Sequence, residues 1–412
     1  MIAVALIFSA IMPTVSADAG SGARDFNDQS TGDKWNWTEG NTSQNGMGYL
    51  NQGEKPSQKA LEWMLQEGAR YGLMAQLNYS DGFVAGDFIR FELNETTGTI
   101  TNYTLIAGDH EIVMFDSVSV AGLLPEEITS QGSVMLINGG AIQIIIHDNP
   151  TCMIHIIANG TLAAASFVAS ENVHVTEGVI GDREYVNING TGVDAVLATD
   201  NGTISVDEME GRTFLNATFE DDHLMFRALP TFTNRNMESE QTLMNAFMHS
   251  RLAGEISILV RNDTAMFNTM EYQYQFRIQL MEAQQNRIML QVSSDDHEGR
   301  LVVMTMDKET LQLQNRELVV KMDGTAIREG SLSDVLNANG QQGENATFYM
   351  LTQGDISQVL VYIPSFSTHS LSAESVAADA DANVLGQTGL IALIVILGVI
   401  GVIAIFIIKR RR

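Results

Sequence analysis

The chain has 412 residues and a formal net charge of −27 at pH 7, from 50 acidic and only 23 basic residues. So acidic a protein excludes nucleic acid as a partner, because the phosphate backbone would be repelled. The length admits two or three domains, and the single cysteine, Cys152, excludes an intrachain disulfide, so the folded parts must rest on hydrophobic cores.

Met1 to Met12 is an apolar run broken only by Ser9, and Val15-Ser16-Ala17 and Ala17-Asp18-Ala19 follow as small-residue cleavage sites. This predicts a signal peptide over residues 1–19. Residues 20–55 are rich in Gly, Asn, Ser, Thr and Asp without periodicity, which predicts a flexible leader with Trp35 and Trp37 as its largest apolar groups. In the segment 56–82, Leu61, Met64, Leu65, Leu73 and Leu77 fall near one helical face, and Pro56 suits a first turn. Gly68 and Gly72 weaken that helix and allow two shorter ones.

From 83 to 230 the apolar period changes to two. Short runs such as "SVMLINGG", "AIQIIIHD" and "TISVDEMEG" alternate with Gly, Asn, Asp and Pro turns, predicting a β-rich domain, sandwich-like or stacked. "HDNPTC" between two apolar runs predicts a hairpin loop. Met237 to Leu252 reads as an amphipathic helix within 231–254. Residues 255–370 return to about seven strands, the size of an immunoglobulin-like sandwich, with a D-G hairpin turn at Asp323-Gly324 and a helical turn at Leu332 to Leu336. An acidic stem is expected over 371–388.

Gly389 to Ile408 is twenty residues without a polar side chain. A helix of that length spans about 30 Å, the hydrocarbon thickness of a bilayer. Lys409, Arg410, Arg411 and Arg412 follow, a basic cluster that stays cytoplasmic. The expected topology is single-pass in the cell membrane, with the N-terminal part extracellular and membrane lipid as a partner. The fold class expected is mainly β: two β-rich extracellular units with short helices and one C-terminal transmembrane helix.

Eleven N-x-S/T sequons occur, at Asn36, Asn41, Asn78, Asn94, Asn102, Asn159, Asn189, Asn201, Asn216, Asn262 and Asn345. On a chain routed outside they are candidate glycosylation sites.

Three groups carry candidate metal chemistry. His147, Asp148, Cys152 and His155 offer imidazole and thiolate ligands for zinc or copper. With His110 upstream, their order resembles that of blue-copper proteins, but Asn159 stands where a weak methionine ligand would follow. Cys152 and His155 are three apart and face opposite ways in an extended strand; the plainer reading is a buried thiol with edge histidines. Asp295, Asp296, His297 and Glu298 form an acidic turn, and Asp221 and Asp222 precede His223. Either turn offers hard oxygens to calcium, though neither has the twelve-residue calcium-loop spacing. No G-x-S-x-G elbow and no H-E-x-x-H motif is present, so no catalytic set is assigned and no cofactor is required.

"HDNPTCMIHIIANGT", "HLMFRALP" and "QVLVYIPSFSTHSL", spread over Ile142 to Leu371, resemble segments of β-rich, membrane-anchored archaeal cell-surface glycoproteins. That resemblance implies an envelope location, with other envelope proteins or glycans as partners, and brings no active-site residues with it. The function expected from sequence is a structural or interaction protein of the envelope, not an enzyme. The alternatives are a ligand- or glycan-binding module, and a metal-binding or hydrolytic domain.

Overall fold

In the computed structural model, residues 46–51, 55–181, 183–230, 237–273, 275–295, 297–314, 316–336 and 345–377 are described. Among these residues, four β-sheets contain nearly all of the regular structure, and each is built mostly from antiparallel neighbours. Sheet I has eight strands in the order Gly202–Met209, Arg212–Glu220, Leu162–Ala169, His110–Val120, Thr99–Ala107, Ile89–Asn94, Phe83–Ala85 and Asn78–Ser80. Sheet II also has eight: Val173–Ile180, Arg183–Gly190, Val193–Thr199, His223–Pro230, Ile154–Ala158, Ile142–His147, Val134–Gly139 and Glu127–Gln131. Sheet III has seven: Gly46–Asn51, Thr264–Glu271, Leu252–Arg261, Arg300–Asp307, Ile356–Ile363, Thr347–Gln353 and Arg328–Glu329. Sheet IV has five: Arg277–Gln284, Arg287–Ser293, Thr368–Ala377, Arg316–Met322 and Thr325–Ala326.

The core residues show how the sheets stack. One apolar cluster joins sheets I and II, with Phe91, Phe115, Phe167, Ile144, Ile156 and Phe226 among its members. A second joins sheets III and IV through residues such as Phe267, Met304, Phe276 and Leu290. Two further clusters lie between sheets II and III: Met225, Leu229, Leu301 and Val303 in one, Ile145, Leu259 and Met266 in the other. The order is therefore I–II–III–IV. Sheets II and III are covered on both faces, so His223–Pro230 and Thr264–Glu271 are buried at every position. Such strands read as continuous apolar runs, whereas Val173–Ile180, at the edge of sheet II, alternates.

Helix α1, Gln58–Arg70, has Ser57 as its N-cap and buries Leu61, Met64 and Leu65 against the sheet II–III layer. It ends earlier than the apolar pattern suggests, because Gly72 takes a left-handed φ of 65°. Leu73, Met74 and Leu77 are buried beyond it without being helical. Helix α2, Met237–Met248, packs Leu243 and Phe247 into the same layer. The turn at Asp323 and Gly324 has positive φ at both residues, as a two-residue hairpin requires.

Several expectations change. Gly46–Asn51, inside the expected leader, is the edge strand of sheet III and pairs with Thr264–Glu271. The expected acidic stem begins inside a strand, since Thr368–Ala377 lies in sheet IV between two partners. The signal peptide, Trp35, Trp37, the 389–408 segment and the basic tail lie outside the described residues. No helix among the described residues is long and apolar enough to cross a membrane. The longest, α1, has 13 residues and carries Lys59, Glu62 and Glu67. The reading of a single-pass surface protein, with membrane lipid as partner and the cell membrane as location, is corrected accordingly. What stands is a mainly β architecture with few short helices.

Candidate functional site

Two connections cross side by side from one sheet to the other at one end of the first sandwich. Asp200 and Asn201 lead from the sheet II strand ending at Thr199 to the sheet I strand starting at Gly202. Asp221 and Asp222 lead back from the sheet I strand ending at Glu220 to His223 in sheet II. Thr199 pairs with Leu224 and Gly202 pairs with Phe219. Those two registers leave Asp200 opposite Asp222 and His223.

One ligand atom from each of Asp200, Asp222 and His223 lies within 4.8 Å of the other two, which makes this a cluster able to coordinate a metal ion. His223 is fully buried, and neither of its ring nitrogens makes a hydrogen bond. Its Nε2 stands 3.5 Å from Asp200 Oδ2 and its Nδ1 4.0 Å from Asp222 Oδ1. The other oxygen of each carboxylate is occupied. Asp200 Oδ1 accepts from Ser250 Oγ at 2.7 Å and meets Arg183 Nε at 3.0 Å. Asp222 Oδ2 accepts from Thr199 Oγ1 at 3.1 Å and from the Asn201 amide. Burial pushes the Asp200 carboxyl up, but contacts with His223, Arg183 and Ser250 outweigh it and hold the group far below the usual carboxylate range. Asp200 is therefore an anion, with one oxygen turned to the imidazole.

His155 stands edge-to-face with His223, ring centroids 5.0 Å apart. Burial, and then the nearby His223 and His147, push His155 well below the usual histidine range. His147 is pushed down to about 3 by burial, against a contact with Asn268 that pulls the other way. Both rings are thus neutral near pH 7. They lie on the face of sheet II that carries Ile145 and Ile157 toward sheet III. Cys152 belongs to the core on the opposite face, where its Sγ points at Phe88 O at 3.7 Å. The sheet itself separates Cys152 from the two histidines, so these residues do not converge. His110 is exposed at a hairpin end in sheet I, paired with Ala107. Asp295 and Glu298 are exposed, and Glu298 pairs with Arg300 at 3.2 Å; Asp296 lies outside the described residues. The acidic triplet at Asp221 to His223 contributes two of the three clustered residues. Asp200 was not singled out in sequence, because a whole hairpin separates it from Asp222.

Of the sequon asparagines, Asn78, Asn94, Asn102, Asn159, Asn189, Asn201, Asn262 and Asn345 are exposed, and Asn216 is half-buried. Asn36 and Asn41 lie outside the described residues.

A MAST domain model matches residues 234–381. The match starts just before α2 and takes in sheet IV and all of sheet III except the Gly46–Asn51 strand. No curated protein matches the chain. Among solved structures, a glycoside hydrolase family 81 mutant enzyme from Clostridium thermocellum aligns at 9% identity and a TM-score of 0.27, over 73% of this chain and 34% of that one. The chain thus spans about a third of that enzyme's length, and a likeness this low transfers neither fold nor activity. The resemblance to membrane-anchored archaeal envelope glycoproteins is corrected: no helix among the described residues is long and apolar enough to cross a membrane. The expectation of an envelope structural or interaction protein that is not an enzyme also gives way, because Asp200, Asp222 and His223 form a cluster able to hold a metal ion, as the metal-binding alternative has it.

Proposed function

We propose that this chain is a metal-binding β-protein in which Asp200, Asp222 and His223 hold one divalent transition-metal ion. The observation that carries the reading is His223: an imidazole fully out of water, with neither nitrogen hydrogen-bonded, held beside two carboxylates that each turn a spare oxygen toward it. Its contacts with the carboxylates, at 3.5 and 4.0 Å, are too long to compensate a buried ring fully for leaving water. A bound ion would satisfy one of the two nitrogens.

The donor set favours a particular class of ion. Calcium takes six to eight oxygens, and here two carboxylates have one oxygen each to offer. One imidazole with two carboxylates suits zinc, manganese or iron, whose bonds to such donors are about 2.0–2.2 Å. One imidazole nitrogen and one oxygen of each carboxylate lie within 4.8 Å of one another, a spacing that one such ion can draw together. The Arg183 cation beside Asp200 lowers the affinity without blocking Oδ2, because it contacts Oδ1. The ion would sit at one end of the pair formed by sheets I and II and clamp them where both connections cross.

The test is elemental analysis and calorimetry on the full chain after chelation. One zinc or manganese per chain is expected to bind, calcium more weakly, and His223→Gln is expected to abolish uptake. Failure of the wild-type chain to bind either ion, or equal binding by His223→Gln, would overturn the reading.

A further inference from the structure

Asp200 also lies at the end of helix α2. The amide of Arg251 donates to Ala246 O at 2.8 Å and that of Ser250 to Phe247 O at 3.0 Å. This pair of bonds is the Schellman helix stop, in which the residue at the Ser250 position is left-handed and is usually glycine. Ser250 does take a φ of 57°, a conformation that costs a side-chain-bearing residue on the order of 1–2 kcal/mol. What serine adds over glycine at this point is a hydroxyl, and that hydroxyl donates to Asp200 Oδ1 at 2.7 Å.

The same junction gathers three more side chains. Arg183 Nε contacts Asp200 Oδ1, while its Nη1 donates to the carbonyls of Phe247 and Met248 at the end of α2. Gln273, beyond the Thr264–Glu271 strand of sheet III, donates to Ser250 O at 3.3 Å and to its Oγ at 3.1 Å. Arg300, in the next-but-one strand of sheet III, donates to Ser250 O. One carboxylate therefore faces the candidate ion through Oδ2 and the α2–sheet III junction through Oδ1.

We propose that occupancy of the Asp200–Asp222–His223 site is coupled through Ser250 to the seating of α2 on sheet III. This rests on the metal-binding reading. An ion on Oδ2 fixes the plane and position of the Asp200 carboxylate, and so fixes the acceptor that Ser250 and Arg183 use. Linkage makes the effect reciprocal: a chain with α2 seated presents Asp200 already oriented and binds the ion more tightly. The coupling joins the first sandwich to the segment that matches the MAST domain.

The experiment is amide hydrogen exchange on the full chain, with and without zinc ion, read at Ser250 and Arg251, together with zinc binding by calorimetry. In the wild type, zinc is expected to slow exchange at these two amides at least tenfold. Ser250→Gly keeps the left-handed backbone and all three ion ligands. It is expected to retain zinc while the slowing falls below twofold. Ser250→Asn tolerates the same backbone region, offers a new donor to Asp200, and is expected to restore the slowing. If the wild type binds zinc but the two amides exchange at unchanged rates, the coupling is overturned and the metal site stands. If Ser250→Gly shows the full wild-type slowing, Ser250 is not the link and the coupling as stated fails. If the wild type takes up no zinc, both readings fall together.

Discussion

Arg227 and Glu255 form an ion pair of 3.1 Å between a sheet II strand and a sheet III strand, and the arginine is wholly out of water. Tyr272 bonds both partners, accepting from Arg227 Nε at 3.3 Å and donating to Glu255 Oε1 at 3.0 Å. Glu240 of α2 stands 3.8 Å from the same guanidinium. Between two packed sheets a lone charge is far more costly than a satisfied pair. Arg227→Ala would strand Glu255 and Glu240 together, and a loss of about 3–5 kcal/mol is expected in denaturant unfolding. Replacing all three charged residues by apolar side chains of similar volume should recover most of that loss.

Buried neutral histidines make the fold less stable in acid. His147 titrates near 6.5 when unfolded and is pushed down to about 3 in the native chain, chiefly by burial. Between those values the unfolded state binds the proton and the native state does not, so stability falls as pH drops from about 6.5 toward 3. The slope from one such group approaches about 1.4 kcal/mol per pH unit. His147→Gln is expected to flatten the wild-type stability curve by that amount over this window and to leave it unchanged above pH 7. Equal slopes in the two proteins would refute the assignment.

How much of this was legible in the sequence depends on the layer. Strands with one solvated face, such as Val173–Ile180, alternate, and so announce themselves as strands. The inner sheets do not alternate. His223–Pro230 is buried throughout and carries a histidine and an arginine; its apolar residues mark it as a strand, but nothing in it says that a second sandwich covers its outer face. Partners for Arg227 come from Glu255, Tyr272 and Glu240, across a sheet-to-sheet contact that no local pattern encodes. The candidate metal cluster was legible at two of its three residues. Asp222 and His223 adjoin in sequence, while Asp200 joins them only because the intervening hairpin closes with Gly202 opposite Phe219. His147 and Cys152 lie near each other in sequence yet on opposite faces of sheet II, because Cys152 takes a left-handed φ of 45° in the loop and turns its thiol into the sheet I–II core.

Zinc should stabilise the chain by mass action if the site is filled only in the native state. At a free ion concentration 100 times the dissociation constant, the expected gain is about 2.7 kcal/mol. A rise in thermal midpoint with zinc concentration is therefore expected for the wild type and is expected to vanish in Asp222→Asn. A rise of the same size in both would place the ion elsewhere.

Gly86 marks a contact that a single methyl group breaks. Asp148 accepts backbone N–H bonds from Asp87 at 2.8 Å, Phe88 at 2.8 Å and Ile89 at 3.0 Å, which fixes both of its oxygens. A Cβ on residue 86 would stand 2.2 Å from Asp148 Oδ2 and 2.3 Å from its Cγ. The carboxyl cannot retreat without releasing buried donors. Gly86→Ala is expected to cost roughly 1–3 kcal/mol, measured by urea unfolding. Gly86 does not take a positive φ, so the loss reports the clash with Asp148 and not backbone strain.

The sequons divide by geometry. Asn94, Asn201 and Asn262 are exposed, and each lies at or beside a chain reversal. Asn216 sits mid-strand in sheet I, between two hydrogen-bonded neighbours. Its Nδ2, the atom a glycan would be attached to, donates to Asp207 Oδ2 at 3.0 Å, and its Oδ1 accepts from Ser166 Oγ at 2.8 Å. Attachment there requires the strand to be open, so a chain that folds before modification keeps Asn216 bare. Glycopeptide mass spectrometry of the chain, secreted from a glycosylating host behind that host's own leader, is expected to find glycan at Asn94, Asn201 and Asn262 and none at Asn216. Occupancy at Asn216 equal to that at the turn positions would mean that modification precedes closure of sheet I, and that the folded surface does not select the sites.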